Sequence, residues 1–196
     1  FTYGSVINTS NFESPTSEPH KLNDLSWAYF ATGNVAICKK LLIRAGLFDT
    51  TFSLYGWEDL ELGERLRKMG VKLIPCPKAV GYHWHPPLSL EQIPGLIRVE
   101  LERAKMGLIF YRKHPTFRVR FIIQFTWLHF CLWELLTLFG LINERSLRPL
   151  LAFLIRRGKP GLAMELLRIP LNRICVRQIF SEASLLRMRR VDNLIN

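Results

Sequence analysis

The chain has 196 residues and a formal net charge of +11, with 27 Lys and Arg against 16 Asp and Glu. Hydrophobic residues make up 48% of it, which is enough for a sizeable core and excludes disorder as the default. The four cysteines (Cys38, Cys76, Cys131 and Cys175) form no CxxC pair, which disfavours a zinc–thiolate site or a dense disulfide framework and favours a reducing, cytoplasmic compartment.

The positive charge is concentrated towards the end of the sequence. Residues 1–90 carry nine Lys/Arg against eight Asp/Glu, residues 91–142 seven against four, and residues 143–196 eleven against four, a net +7. Such a basic tail indicates an anionic partner, either nucleic acid or the anionic cytoplasmic leaflet of a membrane. The chain opens on Phe1 without a signal-peptide pattern, and we expect it to be cut from something longer.

The first 46 residues predict short strands, a turn and one short helix. Residues 8–26 are rich in Ser, Thr, Asn and Pro, which is typical of a loop, and Gly46 is placed to end the helix. The predicted elements are, in order, a strand at 1–7, the loop at 8–26, a short aromatic strand at 27–30, a turn at Gly33-Asn34, an apolar strand at 35–38 and the helix at 39–45.

The stretch L-Y-G-W-E-D-L-E-L-G-E-R-L-R-K-M-G, residues 54–70, predicts the central helix of the chain. Leu62, Leu66 and Met69 recur at i, i+4 and i+7, so they mark one apolar face. Gly70 stands where a helix C-cap glycine is expected, with basic residues in the last turns.

Two adjacent acids, Glu58 and Asp59, follow Gly56 and Trp57 in the first turn of this helix. The positive end of the helix dipole favours the ionised form of a carboxyl group there. Such a carboxylate could serve as a general base, but acids are also common at helix starts for structural reasons alone. The residues by themselves leave both interpretations open.

Two short strands are predicted after the central helix, at 71–75 and 79–85, and the second is closed by Pro86-Pro87. The order of strands and helices indicates an α/β or α+β layer. His83 and His85 alternate on the second strand and therefore face the same way. They are either ligands for Mn²⁺ or Mg²⁺ or half-exposed strand histidines, and a zinc site with Asp59 is disfavoured because the HExxH spacing is missing.

The rest of the chain is helical in pattern. Residues 89–114 predict one helix, and residues 148–180 predict two amphipathic helices broken by Gly-Lys-Pro-Gly at 158–161. Between them, the 22 residues 121–142 are mostly apolar and long enough to cross a bilayer. Gln124, His129 and Glu134 are costly at mid-depth, so we favour a helix that lies in the membrane interface or packs on the domain.

Three blocks resemble one enzyme family in order and spacing. They are T-G-N-V-A-I-C-K-K-L-L-I-R-A-G-L-F-D, G-W-E-D-L-E-L-G-E-R-L-R-K-M-G and P-K-A-V-G-Y-H-W-H, within residues 27–87. Together they resemble the C-terminal, acceptor-side half of family-2 inverting glycosyltransferases with the GT-A fold. The resemblance implies a partial GT-A layer at 1–90, followed by a helical extension with the apolar segment at 91–142 and a basic helical tail at 143–196.

The resemblance also implies roles for individual residues. Asp59 would be the base that deprotonates the acceptor hydroxyl, and His83 or His85 would be the ligand for Mn²⁺ or Mg²⁺ from this half. The residues implied on the acceptor side are Glu58, the stacking platform Trp57, the cleft-lining Gly33 and Asn34, and Asp49 in the G-x-F-D turn. Inverting transfer needs one base and one metal to hold the diphosphate, and these residues fit both needs.

The chain departs from the family in one large respect. Complete enzymes of this kind begin with a nucleotide-binding half that carries Asp-x-Asp, and no such motif occurs here. The chain is therefore a fragment of a longer enzyme, a subunit whose partner chain carries the donor site, or a non-catalytic, membrane-associated carbohydrate-binding module. The expected partners are a nucleotide-sugar donor and a glycan or lipid-linked acceptor.

The tail is interpreted as a membrane-docking element rather than a nucleic-acid surface. Aromatic residues in 121–142 followed by arginines are what docking to an anionic cytoplasmic membrane face requires. The alternative is that the aromatics form core and the arginines a solvated face. Arginines interleaved with leucines favour amphipathic helices, and no nucleic-acid recognition motif is present, so no nucleic-acid partner is expected.

Overall fold

The computed structural model describes residues 1–17 and 29–195, with side chains up to residue 185. The chain divides into two compact units: Phe1–Ser53 with Trp57–Pro87, and Leu54–Gly56 with the chain from Leu88 onward. Both helices and a small mixed sheet are present, compatible with the predicted α/β class. The assignment of separate roles to residues 1–90, 91–142 and 143–196 stays a prediction.

In its described residues (1–17, 29–53 and 57–87), the first unit is a three-stranded sheet with two helices. Its elements are β1 (Thr2–Thr9), 3₁₀ turns at Pro15–Ser17 and Thr32–Asn34, β2 (Val35–Ala36), α1 (Lys39–Arg44), α2 (Glu58–Lys68) and β3 (Ile74–Trp84). The strand order is β2-β1-β3, with β1 antiparallel to β2 and parallel to β3. The connection between the parallel strands carries α1 and α2, as parallel pairing requires.

Two strand predictions were wrong. The predicted aromatic strand at 27–30 is a turn at Tyr29 and Phe30, whereas 27 and 28 lie outside the described residues, as do 18–26 of the predicted loop. Phe30 takes a left-handed conformation at this turn, with φ 68°. Its side chain thereby points into the core, where the residue is 3% exposed. Also, β3 is one strand rather than two. A register shift opposite Tyr3 and Ser5 of β1 absorbs its extra residues, and an edge strand tolerates its prolines.

The core of the first unit lies under α2. Leu62 and Leu66 are completely buried and pack with Phe30 and Ala45, which confirms the predicted apolar face of the helix for these two leucines. Met69, the third predicted member, is 38% exposed because α2 ends at Lys68 and Gly70 turns the chain away with φ 74°. The predicted helix ends, including Gly46 after α1, are confirmed.

The second unit is helical. Its helices are α3 (Ile93–Lys113), α4 (Phe117–Ile122), α5 (Trp127–Leu136), α6 (Glu144–Arg156) and α7 (Pro160–Ile195), with 3₁₀ turns at Leu90–Gln92 and Leu138–Gly140. α3, α5 and α6 all pack against α7. The break between α6 and α7 falls at 157–159, within the predicted Gly-Lys-Pro-Gly region.

The prediction of one helix over the apolar segment 121–142 was wrong, because the segment is divided between α4, α5 and a 3₁₀ turn. By length and composition, residues 117–136 would suffice to cross a membrane. The backbone, however, turns at Gln124, with φ 61°, and separates α4 from α5. The Thr126 hydroxyl caps α5 by accepting a hydrogen bond from the His129 backbone N–H, and the Trp133 indole N–H donates to the Gln124 side chain at 2.6 Å.

Candidate functional site

The start of α2 is shaped by two consecutive residues with positive φ. Gly56 has φ 98°, and Trp57, the N-cap residue, has φ 75°. A left-handed conformation is unfavourable for a tryptophan, and such strain is concentrated at functional sites. The turn leaves Trp57 half-buried and puts Glu58 and Asp59 in the first helical turn, as predicted. Carboxylates there are stabilised by the helix dipole.

Asp59 is hydrogen-bonded to the Thr-Gly-Asn block at residues 32–34. Its Oδ2 accepts hydrogen bonds from the backbone N–H of Thr32, at 3.2 Å, and from the Thr32 hydroxyl, at 3.4 Å. Thr32 opens the 3₁₀ turn that contains Gly33 and Asn34. The structure thus brings together two blocks that are 27 residues apart in sequence. Thr32 was not among the predicted site residues, because a bond to a carboxylate 27 residues away leaves no local signal in the sequence.

Asn34 connects two strands of the sheet. Its side-chain amide nitrogen donates to the carbonyl oxygens of Ser5 in β1 and Ala79 in β3, both at 3.0 Å. Gly4 makes room for this bridge, because a Cβ there would lie 2.1 Å from the Ala79 oxygen. Gly33 is exposed. The predicted contact of Gly33 and Asn34 with an acceptor stays a prediction.

Asp49 shapes the turn after α1. Its Oδ1 accepts from the backbone N–H of Thr51, at 2.9 Å, and from the Thr51 hydroxyl, at 2.7 Å. This is an Asx turn, in which a carboxylate replaces a backbone acceptor and fixes the direction of the chain.

Two buried glutamates on α2 were missed by the sequence analysis. Glu61 and Glu64 are each 2% exposed. Arg65 pairs with Glu61 at 2.7 Å and also donates to the carbonyl oxygens of Ala45 and Leu47, which ties α2 to the end of α1. Arg67 pairs with Glu64 at 2.7 Å, and this carboxylate raises the pKa of Arg67. The signal was the i, i+4 and i, i+3 spacing of Glu and Arg.

Glu58 differs from these partnered acids. Its Oε2 atom is buried and has no hydrogen-bond partner within the described part of the chain. A buried carboxylate oxygen without a donor is unfavourable for folding alone. Its position directly before Asp59 makes it a candidate acceptor of a hydrogen bond from a ligand.

His83 and His85 lie side by side at the end of β3. Their ring centroids are 4.1 Å apart and both residues are exposed, which confirms that they face the same way, although β3 ends at Trp84 and His85 directly follows it. Over residues 1–17 and 29–195, no group of three or more His, Cys, Asp or Glu could hold a metal ion. The described residues therefore do not build a complete metal site with Asp59, and any metal here would need ligands from elsewhere.

Comparison with known proteins finds local similarity to glycosyltransferases. The chain is 42% identical over 97 residues to a chondroitin synthase of Escherichia coli (47% of this chain, 14% of that protein). It is 39% identical over 71 residues to a hyaluronan synthase of Pasteurella multocida (36% and 7%). An uncharacterized glycosyltransferase of Bacillus subtilis is 30% identical over 69 residues (35% and 18%).

The chain therefore spans less than a fifth of the length of the curated relatives it matches. No protein-family model and no solved structure matches it. These similarities relate the chain to glycosyltransferases, as the sequence blocks had indicated.

Proposed function

We propose that this chain forms the acceptor-side part of an inverting, GT-A-type glycosyltransferase that transfers a sugar from a nucleotide-sugar to a hydroxyl group of a glycan or lipid-linked acceptor. The hydrogen bonding of Asp59 by Thr32 carries this proposal, because it joins the acid pair to the T-G-N turn. The similarity to hyaluronan and chondroitin synthases supports the reaction class.

Asp59 is the proposed general base. One of its oxygens takes the proton of the acceptor hydroxyl while that hydroxyl oxygen attacks the anomeric carbon of the donor sugar. The bond between the anomeric carbon and the diphosphate breaks on the opposite face, so the configuration inverts and the nucleoside diphosphate leaves with the bonding electrons. Thr32 orients the carboxylate, which lies at the positive end of the α2 helix dipole.

Glu58 and Trp57 are the proposed acceptor-binding residues beside the base. A sugar hydroxyl donating to Glu58 Oε2 would satisfy the buried oxygen that has no partner among the described residues. Trp57 would offer its ring as a stacking surface at the same helix start. Asp49 keeps the neighbouring turn in shape, and Gly33 and Asn34 would line the cleft.

His83 or His85 would supply one ligand to Mn²⁺ or Mg²⁺, and the other ligands would have to come from the donor and from groups outside the described residues. When bound, such a metal neutralises the charge that develops on the leaving diphosphate. The donor site itself is assigned to a longer polypeptide or to a partner chain, because these 196 residues contain no Asp-x-Asp.

The absence of Asp-x-Asp also favours a second candidate, a carbohydrate-binding module without chemistry. Asp59→Asn in the complete enzyme that contains this chain separates the two. For a general base, we expect a loss of transfer of about 10²- to 10⁴-fold with unchanged thermal unfolding. Glu165→Gln removes an exposed carboxylate outside the site and should leave transfer unchanged.

Titration of the isolated chain with UDP-, GDP- and dTDP-sugars, with and without Mn²⁺, provides the second test. Metal-dependent binding that is lost in His83→Ala or His85→Ala would support the ligand assignment. Full transfer by Asp59→Asn would reject the assignment of the base. Glycan binding in an enzyme that never transfers would favour the binding module.

A further inference from the structure

Helix α5 is apolar on the side that faces away from the protein. Its exposed residues recur at i, i+1, i+4, i+5, i+8 and i+9, which places them on one side of a helix. Trp127, Leu128 and Leu135 are 65, 67 and 62% exposed. A helix on a water-exposed surface normally shows the opposite pattern. The exposed residues of this face, all of them apolar, are Trp127, Leu128, Cys131, Leu132, Leu135 and Leu136.

The inward side of α5 holds the polar groups. Glu134 is 8% exposed and is bound by Arg173 of α7 through two hydrogen bonds of 3.0 Å, with Arg177 at 3.5 Å. Thr137 is buried, and its hydroxyl donates to the carbonyl oxygen of Trp133. Because the Glu134–Arg173 pair is bidentate, the rotation of α5 is fixed and its apolar side stays outward.

The apolar surface continues beyond α5. Leu138 is 51% exposed, and Phe139 and Leu141 are each 75% exposed. Arg173 also donates to the carbonyl oxygen of Phe139, at 3.2 Å, which ties this turn to α7 as well. We call these three residues and the exposed side of α5 the apolar face. Contiguous apolar surface of this kind marks an interaction site rather than ordinary exposed residues.

We propose that the apolar face lies in the interfacial region of an anionic lipid bilayer, with α5 parallel to the membrane surface. Ten residues of helix are about 15 Å long, half of the roughly 30 Å of a hydrocarbon core, so α5 can lie in a bilayer surface but cannot cross it. Trp127 supplies an aromatic ring suited to the headgroup level. The proposal is independent of the glycosyltransferase assignment.

Charge selects the bilayer over a second copy of this chain. Arg118 precedes the apolar face, and Arg145 and Arg148 follow it in α6, where the Arg145 side chain is 93% exposed. Two copies pairing symmetrically through the apolar face would bring these arginines together in chains that each carry +11. Anionic headgroups instead attract them, and residues 143–196 add a net +7.

Vesicle flotation of the chain tests the proposal. We expect binding to phosphatidylcholine vesicles that contain phosphatidylglycerol, and weaker binding to phosphatidylcholine alone.

Leu128→Gln/Leu135→Gln should weaken binding about tenfold or more, because two apolar side chains no longer enter the interface. Phe12→Gln/Ile43→Gln changes two residues of the first unit that are 75 and 56% exposed, and should leave binding unchanged. Arg145→Gln/Arg148→Gln should reduce the preference for anionic vesicles.

Alkylation of the cysteines gives a second readout within one molecule. Cys131 lies on the apolar face, whereas Cys38 and Cys76 are exposed in the first unit. Anionic vesicles should slow the labelling of Cys131 at least several-fold and leave Cys38 and Cys76 reactive. Equal flotation of the Leu128/Leu135 variant and the Phe12/Ile43 variant would overturn the proposal. Absence of vesicle binding would also overturn it. The same holds if the chain instead forms a dimer that Leu128→Gln/Leu135→Gln dissociates.

Discussion

The carboxylate of Asp59 accepts hydrogen bonds from both the backbone N–H and the hydroxyl of Thr32. These two bonds join an acid at the start of α2 to the 3₁₀ turn Thr32–Asn34. The side-chain amide of Asn34, two residues after Thr32, reaches β1 and β3, so the same turn is also fixed to the sheet. The position of Asp59 therefore depends on the sheet as well as on its own helix.

Thr32→Val tests whether this contact positions Asp59. The substitution removes the hydroxyl bond and keeps the backbone bond, so the free energy of unfolding should fall by only about 0.5–1.5 kcal/mol. In the complete enzyme we expect a loss of transfer that is smaller than for Asp59→Asn. Thr32→Ser keeps the hydroxyl and should retain most of the activity. Equal activity of the Val and Ser variants would show that the hydroxyl does not position the base.

Arg65 should be the most sensitive charged residue of the first unit. Arg65→Met leaves Glu61 buried without its partner and removes the donors to Ala45 and Leu47, so we expect a loss of about 3–5 kcal/mol in urea unfolding. Arg98→Met breaks an exposed ion pair of 3.9 Å and should cost at most about 1 kcal/mol.

The double variant Glu61→Leu/Arg65→Met separates two costs of losing Arg65: the unpaired buried carboxylate of Glu61, and the lost hydrogen bonds to Ala45 and Leu47. It should recover part of the stability that Arg65→Met loses, because no carboxylate is then buried alone. If Arg65→Met is no more harmful than Arg98→Met, the buried pair does not hold α2 to the end of α1.

Local sequence signals predicted α2 well because its determinants are local. The leucine spacing, the acids of the first turn and Gly70 all act within one helix, and the structure confirms them. The aromatic strand at 27–30 was wrong because its hydrophobic residues serve another purpose: Phe30 turns into the core against Leu62 and Leu66. A short apolar run alone does not distinguish a strand from a buried turn.

The sequence indicated which residues belong to the candidate site, but not which of them contact each other. The resemblance supplied Asp59 and its neighbours, and alternation on a strand was enough to put His83 and His85 side by side. The bond from Thr32 to Asp59 and the insertion of Asn34 between strands depend on tertiary packing, which spacing along the chain does not specify. The break at Gln124 was missed because the apolar composition of 121–142 hides a polar cap at Thr126.

Gly63 should be intolerant of any side chain. A Cβ at this position would lie 2.1 Å from the carbonyl oxygen of Tyr29, so the helix approaches that backbone too closely for alanine. We expect Gly63→Ala to destabilise the protein by more than about 1–3 kcal/mol, the usual cost of overpacking. The measurement is the midpoint of thermal unfolding, followed by circular dichroism.

Gly95 provides the matched control because it also lies in a helix, and among the described residues no atom beyond its neighbours and the backbone of its own helix lies within 4 Å of a Cβ built there. Gly95→Ala should therefore stabilise the protein by about 0.5–1 kcal/mol through helix propensity. Similar effects of the two substitutions would contradict the close approach at Gly63.

His129 should make the protein less stable in acid. Burial lowers the pKa of His129 below its ordinary value of about 6.5, because the charged ring loses solvation near Thr126 and the Phe121 ring. The unfolded chain therefore binds this proton more readily than the folded chain. The resulting stability is fully present above the unfolded pKa and is lost as the pH falls through the folded one. Urea unfolding at about pH 7.5 and pH 5 should show a smaller decrease for His129→Gln than for the native chain, since glutamine does not titrate in this range. An identical decrease in both proteins would show that His129 stays uncharged or equally charged in both states.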